Sequence, residues 1–116
     1  MAYTKEDYMR LVATAIEKIL KDRCLIIFFG SILTERFSRT SDIDVAIFCK
    51  ERLKFKDYLK LEEELENVPI LRDIDLVDIR DVKNLNFLEN ILRGKIWRSS
   101  PELLEDLKRH IEGLKR

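Results

Sequence analysis

The chain has 116 residues, 46% of them hydrophobic, so it can bury a core of its own, and we expect a single domain over residues 1–116. Its 22 Lys+Arg balance 22 Asp+Glu, which disfavours nucleic acid or an anionic membrane as a partner chosen by bulk charge. The longest apolar run, Leu25 to Phe29, is too short to span a bilayer, and the N-terminus lacks the apolar core of a signal peptide. We therefore expect a soluble, cytoplasmic protein without a membrane partner.

The first half of the chain predicts a helix, a strand, a short helix and a second strand. Apolar residues at helical spacing indicate a helix from Thr4 to Asp22, with Thr4 as its N-cap. The run 24–29 is continuous and β-prone, which is typical of a central strand covered on both faces. After a turn at Gly30-Ser31, the remaining predicted elements are a short helix over 32–37, a polar loop over 38–41 and a strand over 42–49.

The second half continues the alternation of helices and strands. A helix over 54–67 stops before Pro69, and a strand is predicted over 70–79. Asn84 caps a helix that ends at the glycine stop Gly94. The last two elements are an edge strand over 95–98 and a helix that starts at Pro101 after Ser100. We therefore predict a small mixed α/β sheet of three or four strands flanked by helices.

Two cysteines, Cys24 and Cys49, are too few for a disulfide framework and lack zinc-ligand spacing. Because both lie in apolar runs, they are predicted to be buried thiols. His110, on a charged helix, is predicted to be a solvated surface residue.

The turn at Gly30-Ser31 is a candidate phosphate-binding element. Glycine has no Cβ, so the backbone there can approach a ligand closely. Ser31 would start a helix whose free N–H groups favour a phosphate. Taken alone, the same pair is an ordinary strand-to-helix turn with a serine cap.

Two carboxylates at the start of the second predicted strand indicate a metal site. Asp42 and Asp44 are separated by one residue, so on a strand both side chains leave the same face, while Ile43 and Val45 point to the other. Their mutual repulsion is tolerable when a divalent cation lies between them, and hard oxygen ligands suit Mg²⁺ or Mn²⁺.

The third predicted strand offers a further carboxylate. Asp73 and Asp75 share a face and Asp78 lies on the other. Either of the first two would complete a triad of the kind that holds two metal ions, and Asp73 has the alternative of pairing with Arg72.

These residues together resemble a known family. The Gly-Ser turn, ten intervening residues and Asp-x-Asp are similar to the signature of the minimal nucleotidyltransferases of the DNA polymerase β superfamily. The resemblance implies that Asp75, in Ile74-Asp75-Leu76-Val77-Asp78, is the third metal ligand and catalytic residue beside Asp42 and Asp44. It also implies that Gly30 and Ser31 bind the triphosphate of ATP.

One difference from the family concerns the residues after the serine. Family members often have an arginine soon after it and then a glycine, whereas Ile32 and Leu33 follow here. Arg36 and Arg39 are the candidates to contact the triphosphate instead, and the alternative is that both are surface charges.

The same spacing is similar to that of the antitoxins of HEPN/minimal-nucleotidyltransferase pairs. This resemblance implies transfer of AMP from ATP, with Mg²⁺, to a tyrosine of a HEPN-type toxin, within a homodimer or a hetero-oligomer. An acceptor supplied by a partner also suits a short chain. Two alternatives stay open: a non-catalytic antitoxin that neutralises its partner by binding, and a catalytic subunit that modifies a small molecule or an RNA end with a second subunit.

Overall fold

Strands and helices alternate along the computed structural model, which describes residues 3–116. The strands are β1 (Cys24–Phe29), β2 (Ile43–Cys49), β3 (Ile74–Asp78) and β4 (Lys95–Arg98). The α-helices are α1 (Lys5–Leu20), α2 (Phe55–Glu66), α3 (Leu85–Leu92) and α4 (Pro101–Leu114). One sheet has the order β3-β2-β1-β4, in which β2 and β3 are parallel and the other pairs antiparallel. The predicted mixed sheet flanked by helices is confirmed.

Side-chain caps fix where three of the helices begin. The Thr4 hydroxyl accepts a hydrogen bond from the Asp7 backbone N–H (3.1 Å), and the Asp7 carboxylate accepts one from the Thr4 N–H (2.8 Å). Asn84 caps α3 and Ser100 caps α4 in the same way, at 3.0 and 3.1 Å. Each cap contributes about 1 kcal/mol. The caps at Thr4 and Asn84 and the helix start after Ser100 were predicted from the sequence. No helix within residues 3–116 has the length and apolarity needed to cross a lipid bilayer.

The sheet separates two apolar cores, because successive side chains of a strand point to opposite faces. β1 is buried along its whole length and contributes to both cores, as predicted. The core on the α1/α2 side receives Ile43 and Val45 of β2, whereas the core on the α3/α4 side receives Ala46 and Phe48. Side chains at even-numbered positions of β2 therefore face α3 and α4.

The short helix predicted over 32–37 is replaced by a single 3-10 turn over Gly30–Leu33. Thr34 ends it with an extended backbone (φ −125°, ψ 170°), and its hydroxyl bonds the Ser31 carbonyl at 3.0 Å. That hydroxyl also accepts from the Arg36 N–H at 3.1 Å. A threonine side chain that bonds the local backbone competes with helical hydrogen bonds, so Ser31 starts only a short turn.

The third strand is shorter than the predicted 70–79. β3 begins at Ile74 because Ile74 is the residue that pairs with Ile43, the first residue of β2. The preceding segment turns instead, with Leu71 fully exposed.

The prediction of free cysteine thiols is wrong. Cys24 and Cys49 are directly opposite each other on the antiparallel strands β1 and β2, and they form a disulfide. Their side chains are buried, as predicted, at 2% and 5% exposure. Two cysteines 25 residues apart give no signal of pairing in the sequence, because the register of β1 against β2 brings them together.

His110 is half-buried, which corrects the prediction of a solvated surface residue. Its ring lies against Phe48, with the ring centroids 5.6 Å apart, and its Nε2 is buried without a hydrogen-bond partner in the described chain. Burial, followed by the positive charges of Arg80 and Lys83, lowers the pKa of His110. The charged residues around it in the sequence concealed its position on the apolar side of α4.

Candidate active site

Asp44 and Asp75 lie side by side at the amino-terminal ends of two parallel strands. Asp44 on β2 is the register partner of Asp75 on β3. Asp44 is half-buried and Asp75 is exposed. Burial raises the pKa of Asp44, and the neighbouring carboxylates of Asp75 and Asp42, with a hydrogen bond to Asp75, raise it further. The repulsion between these neighbouring carboxylates is an electrostatic cost that a counter-ion would reduce.

Gly30 packs directly against Asp44. Its φ is +80°, and a Cβ at this position would lie 2.2 Å from Asp44 Oδ2. The close approach follows from the antiparallel register, in which Phe29, the last residue of β1, pairs with Asp44. A residue with a side chain would therefore displace the carboxylate, so the turn requires glycine for both its conformation and its space.

Asp42 stands just before β2 and is exposed. Its charge reaches Asp44, where it contributes to the raised pKa of that carboxyl. Nevertheless, among residues 3–116 no three Asp, Glu, His or Cys side chains converge into a group that could hold an ion. The structure thus brings together Asp44 and Asp75 and leaves Asp42 at their margin.

The chemistry of this donor set fits a hard divalent cation. All three side chains offer carboxylate oxygens, the ligands that Mg²⁺ and Mn²⁺ prefer. In the part of the chain that the structure describes, no lysine or arginine forms an ion pair with Asp42, Asp44 or Asp75. A half-buried carboxylate that lies beside a second carboxylate without a cationic partner is costly, and a divalent cation would remove that cost.

A cavity of about 380 Å³ opens beside the Gly30-Ser31 turn. Arg36 lines it, whereas Arg39 does not. The rest of its wall includes residues at the end of α3 and the glycine that follows: Asn90, Arg93 and Gly94. None of them was predicted to belong to the site. Asn90 and Arg93 are exposed polar residues on a surface helix, so only the packing of α3 against β1 shows that they belong here.

Gly94 lies just beyond the end of α3, but it is not the predicted glycine stop. Among residues 3–116, Gly30 is the glycine with a positive φ, so Gly94 does not form a left-handed cap. A Cβ on Gly94 would instead lie 2.2 Å from the Phe28 carbonyl oxygen. The glycine lets the backbone after α3 approach β1, which closes the wall of the cavity.

Asp73 does not pair with Arg72, the alternative that its position in the sequence suggested. The Arg72 guanidinium donates to the carbonyls of Ser38 and Ser41 at 2.6 and 2.7 Å. Asp73 is exposed, and its carbonyl accepts from the Ile43 N–H at 2.9 Å. Arg72 was not predicted to belong to the site.

A mixed sheet with a glycine-serine turn packed against a strand carboxylate defines the class of nucleotidyltransferase folds. The family described as "Polymerase beta, Nucleotidyltransferase" matches residues 14–102. The chain belongs to this family, as the resemblance predicted. No curated protein matches the chain significantly.

Solved structures similar to this chain include toxin-antitoxin complexes. One contains AMP-PNP; it is 26% identical, has a TM-score of 0.64, and the match covers 88% of this chain and 86% of that chain. A second is a tri-AMPylated HEPN toxin from Shewanella oneidensis in complex with its MNT antitoxin (19% identity, TM-score 0.62, 96% and 83% covered). A third is a mutant of the toxin-antitoxin MntA-HpeT (20% identity, TM-score 0.66, 97% and 88% covered). The two below 25% identity support the fold alone.

Proposed function

We propose that this chain is a Mg²⁺-dependent nucleotidyltransferase that transfers AMP from ATP to a tyrosine hydroxyl of a HEPN-type toxin and thereby acts as its antitoxin. The observation that carries the proposal is the contact of Gly30 with Asp44, whose register partner on β3 is Asp75. This contact joins a cation-binding pair to a turn that suits a phosphate, as transfer of a nucleotidyl group requires.

Each residue has a proposed role in this reaction. Asp42, Asp44 and Asp75 would hold one or two divalent cations, which neutralise the charge that develops on the phosphates. Gly30, Ser31 and Arg36 would hold the β- and γ-phosphates in the cavity of about 380 Å³. Arg39, outside that cavity, is left with the role of a surface charge.

The chemical step is an in-line displacement at the α-phosphorus. The acceptor oxygen forms a new bond to the α-phosphorus while the bond to the bridging oxygen breaks and pyrophosphate leaves. The hydroxyl proton passes to a carboxylate that is not saturated by metal, for which Asp75 is the candidate because it is exposed at the edge strand β3.

The proposed protein acceptor is taken by analogy from two of the similar structures. One contains an ATP analogue within a toxin-antitoxin complex, and another contains a toxin that carries AMP groups beside its MNT antitoxin. A HEPN-type toxin is therefore the acceptor to test first.

The test is intact-mass spectrometry of a co-expressed HEPN-type partner after incubation with Mg²⁺ and ATP. We expect its mass to rise by one or more AMP units. Asp44→Asn should abolish the increase, because the amide removes the charge that binds the cation while it preserves the size of the side chain. Asp73→Asn is the matched control, since Asp73 is exposed and has no proposed role.

Two outcomes would contradict the proposal. Unchanged transfer by Asp44→Asn would refute the assignment of the site. A tight complex with no mass increase, formed equally by the wild type and by Asp42→Ala, would instead indicate an antitoxin that acts by binding.

A further inference from the structure

We propose that Arg72 is a positioning residue that holds the backbone of Asp42 at the site, so that Asp42 can join Asp44 and Asp75 around a divalent cation. The inference rests on the proposed function, because it concerns the same metal site. It is carried by the contacts of the Arg72 guanidinium, which lie on the loop before Asp42 and not on any carboxylate.

The Arg72 guanidinium links the two ends of the loop over 38–41. Its Nη1 donates to the carbonyl oxygens of Ser38 (2.6 Å) and Ser41 (2.7 Å). Within the loop, the Ser41 hydroxyl accepts from the Ser38 N–H (2.9 Å), and the Ser41 N–H donates to the Ser38 carbonyl (3.3 Å). The loop is thus a hydrogen-bonded turn whose two end carbonyls share one donor.

Aromatic rings hold the guanidinium in place. It lies 4.0 Å from the centroid of the Phe37 ring and 4.6 Å from that of Tyr8 on α1. The two rings also contact each other edge to face at 5.9 Å. A planar guanidinium can stack on rings and donate at its edge at the same time, so Arg72 connects α1, the loop and the start of β3.

These contacts fix the residue that follows the loop. Asp42 is one peptide beyond Ser41, whose carbonyl binds Arg72, and one peptide before Ile43, whose N–H binds the Asp73 carbonyl at 2.9 Å. The backbone of Asp42 is therefore attached on both sides to consecutive residues of the chain, Arg72 and Asp73. Both lead directly into β3, which carries Asp75.

A second arginine provides a matched control at the other end of the sheet. Arg80 follows β3, and its guanidinium donates to the carbonyls of Cys49 (2.8 Å) and Lys50 (3.0 Å) while it lies 4.5 Å from the Phe48 ring centroid. Arg72 and Arg80 thus make the same kind of contact at opposite ends of β2. A purely structural role would give their variants the same properties.

The experiment measures Mn²⁺ binding to the full chain by electron paramagnetic resonance of free Mn²⁺, without nucleotide or partner. We expect Arg72→Gln to weaken Mn²⁺ binding by about tenfold or more, the usual effect of losing a residue that orients metal ligands. Arg80→Gln should bind Mn²⁺ as the wild type does. Arg72→Lys, which keeps the charge without the planar fork, should lie between Arg72→Gln and the wild type, and it serves as the test if Arg72→Gln fails to fold.

The sign of the change separates positioning from electrostatics. Loss of a positive charge near carboxylates would by itself strengthen cation binding, so weaker binding by Arg72→Gln indicates a change in geometry. Hydrogen exchange of the amides over 38–43 should also accelerate in Arg72→Gln and stay unchanged in Arg80→Gln.

Failure of the inference and failure of the proposed function give different results. If the wild type binds Mn²⁺, Asp44→Asn does not, and Arg72→Gln binds as tightly as the wild type, Arg72 is not a positioning residue and the metal site stands. If the wild type binds no more Mn²⁺ than Asp44→Asn does, the metal site itself is overturned, and the role of Arg72 with it.

Discussion

At each end of β2 an arginine binds backbone carbonyls, but the two ends differ in whether their charged side chains have a partner. At its carboxyl end, Cys49 is joined to Cys24, and Arg80 binds the carbonyls of Cys49 and of Lys50, the residue after the strand. At its amino end, Arg72 binds the preceding loop, but Asp44 lies against Asp75 without a cationic partner in the described chain. The carboxyl end of β2, here called the closed end, stabilises the sheet. The amino end, here called the open end, keeps an electrostatic cost that a ligand can remove.

This difference agrees with a general property of functional sites. Charged side chains are usually paired with opposite charges in a folded protein. At a functional site, charged side chains are instead left close together without such partners, so that a cation or substrate can bind. Changes at the open end should therefore alter activity more than stability, and changes at the closed end should do the reverse. Four predictions test that separation.

The largest effect is expected for Gly30→Ala. The new Cβ would lie 2.2 Å from Asp44 Oδ2 at a backbone φ of +80°, so the carboxylate must move. We expect transfer activity to fall by about 100-fold or more, with a loss of about 1–3 kcal/mol in the free energy of unfolding from the strained backbone. Steady-state kinetics and urea unfolding measure the two effects.

Gly113→Ala is the control for that substitution. A Cβ at Gly113 meets nothing within 4 Å, and the residue lies in α4, so we expect unchanged activity and a gain of up to about 1 kcal/mol. Full activity of Gly30→Ala would show that the position of Asp44 does not matter.

Reduction of the Cys24–Cys49 disulfide should affect stability alone. The bridge links residues 25 apart, and its loss should lower the free energy of unfolding by about 2–4 kcal/mol, since the unfolded chain gains freedom. Guanidinium unfolding with and without dithiothreitol measures this change. A Cys24→Ala/Cys49→Ala variant should not respond to the reductant, and activity lost on reduction would contradict the separation of the two ends.

A smaller effect is expected for Arg36→Gln. Arg36 lines the cavity beside Ser31, and we expect its loss to weaken ATP binding by about 5- to 20-fold, on the order of 1–2 kcal/mol. Arg39→Gln, which makes the same change outside the cavity, should stay within about twofold of the wild type. Equal effects of the two substitutions in isothermal titration calorimetry would contradict the assignment of the phosphate contact to Arg36 and not to Arg39.

The smallest effect concerns pH and the α4 side of the sheet. Burial and the charges of Arg80 and Lys83 lower the pKa of His110 from its ordinary value of 6.5. The unfolded chain therefore takes up a proton at a higher pH than the folded chain does, and stability falls as the pH drops below that value. Urea unfolding at about pH 7.5 and about pH 5.5 should show a loss that is smaller in His110→Gln. An identical loss in both proteins would exclude His110 as its source.

Much of the fold could be predicted because its signals are local. Thr4, Asn84 and Ser100 cap helices that begin where the sequence indicated, and the apolar run 24–29 is the buried central strand. Two element boundaries were predicted wrongly because they depend on contacts outside the local pattern. β3 begins where its partner strand β2 begins, and the Thr34 hydroxyl ends the turn after Ser31 by bonding the Ser31 carbonyl. Neither effect is visible in the periodicity of a single segment.

The sequence by itself determined the mixed α/β class, the glycine-serine turn, and the Asp42-x-Asp44 spacing that indicates a family and a metal. These features depend on residue type and on spacing within short segments, and both can be read without the tertiary structure. The tertiary structure alone decided that Asp44 meets Asp75 and Gly30, that Cys24 meets Cys49, and that Arg72 binds the loop before Asp42. Each of these contacts joins segments far apart in the chain, and strand register and helix packing, which involve many residues at once, bring them together.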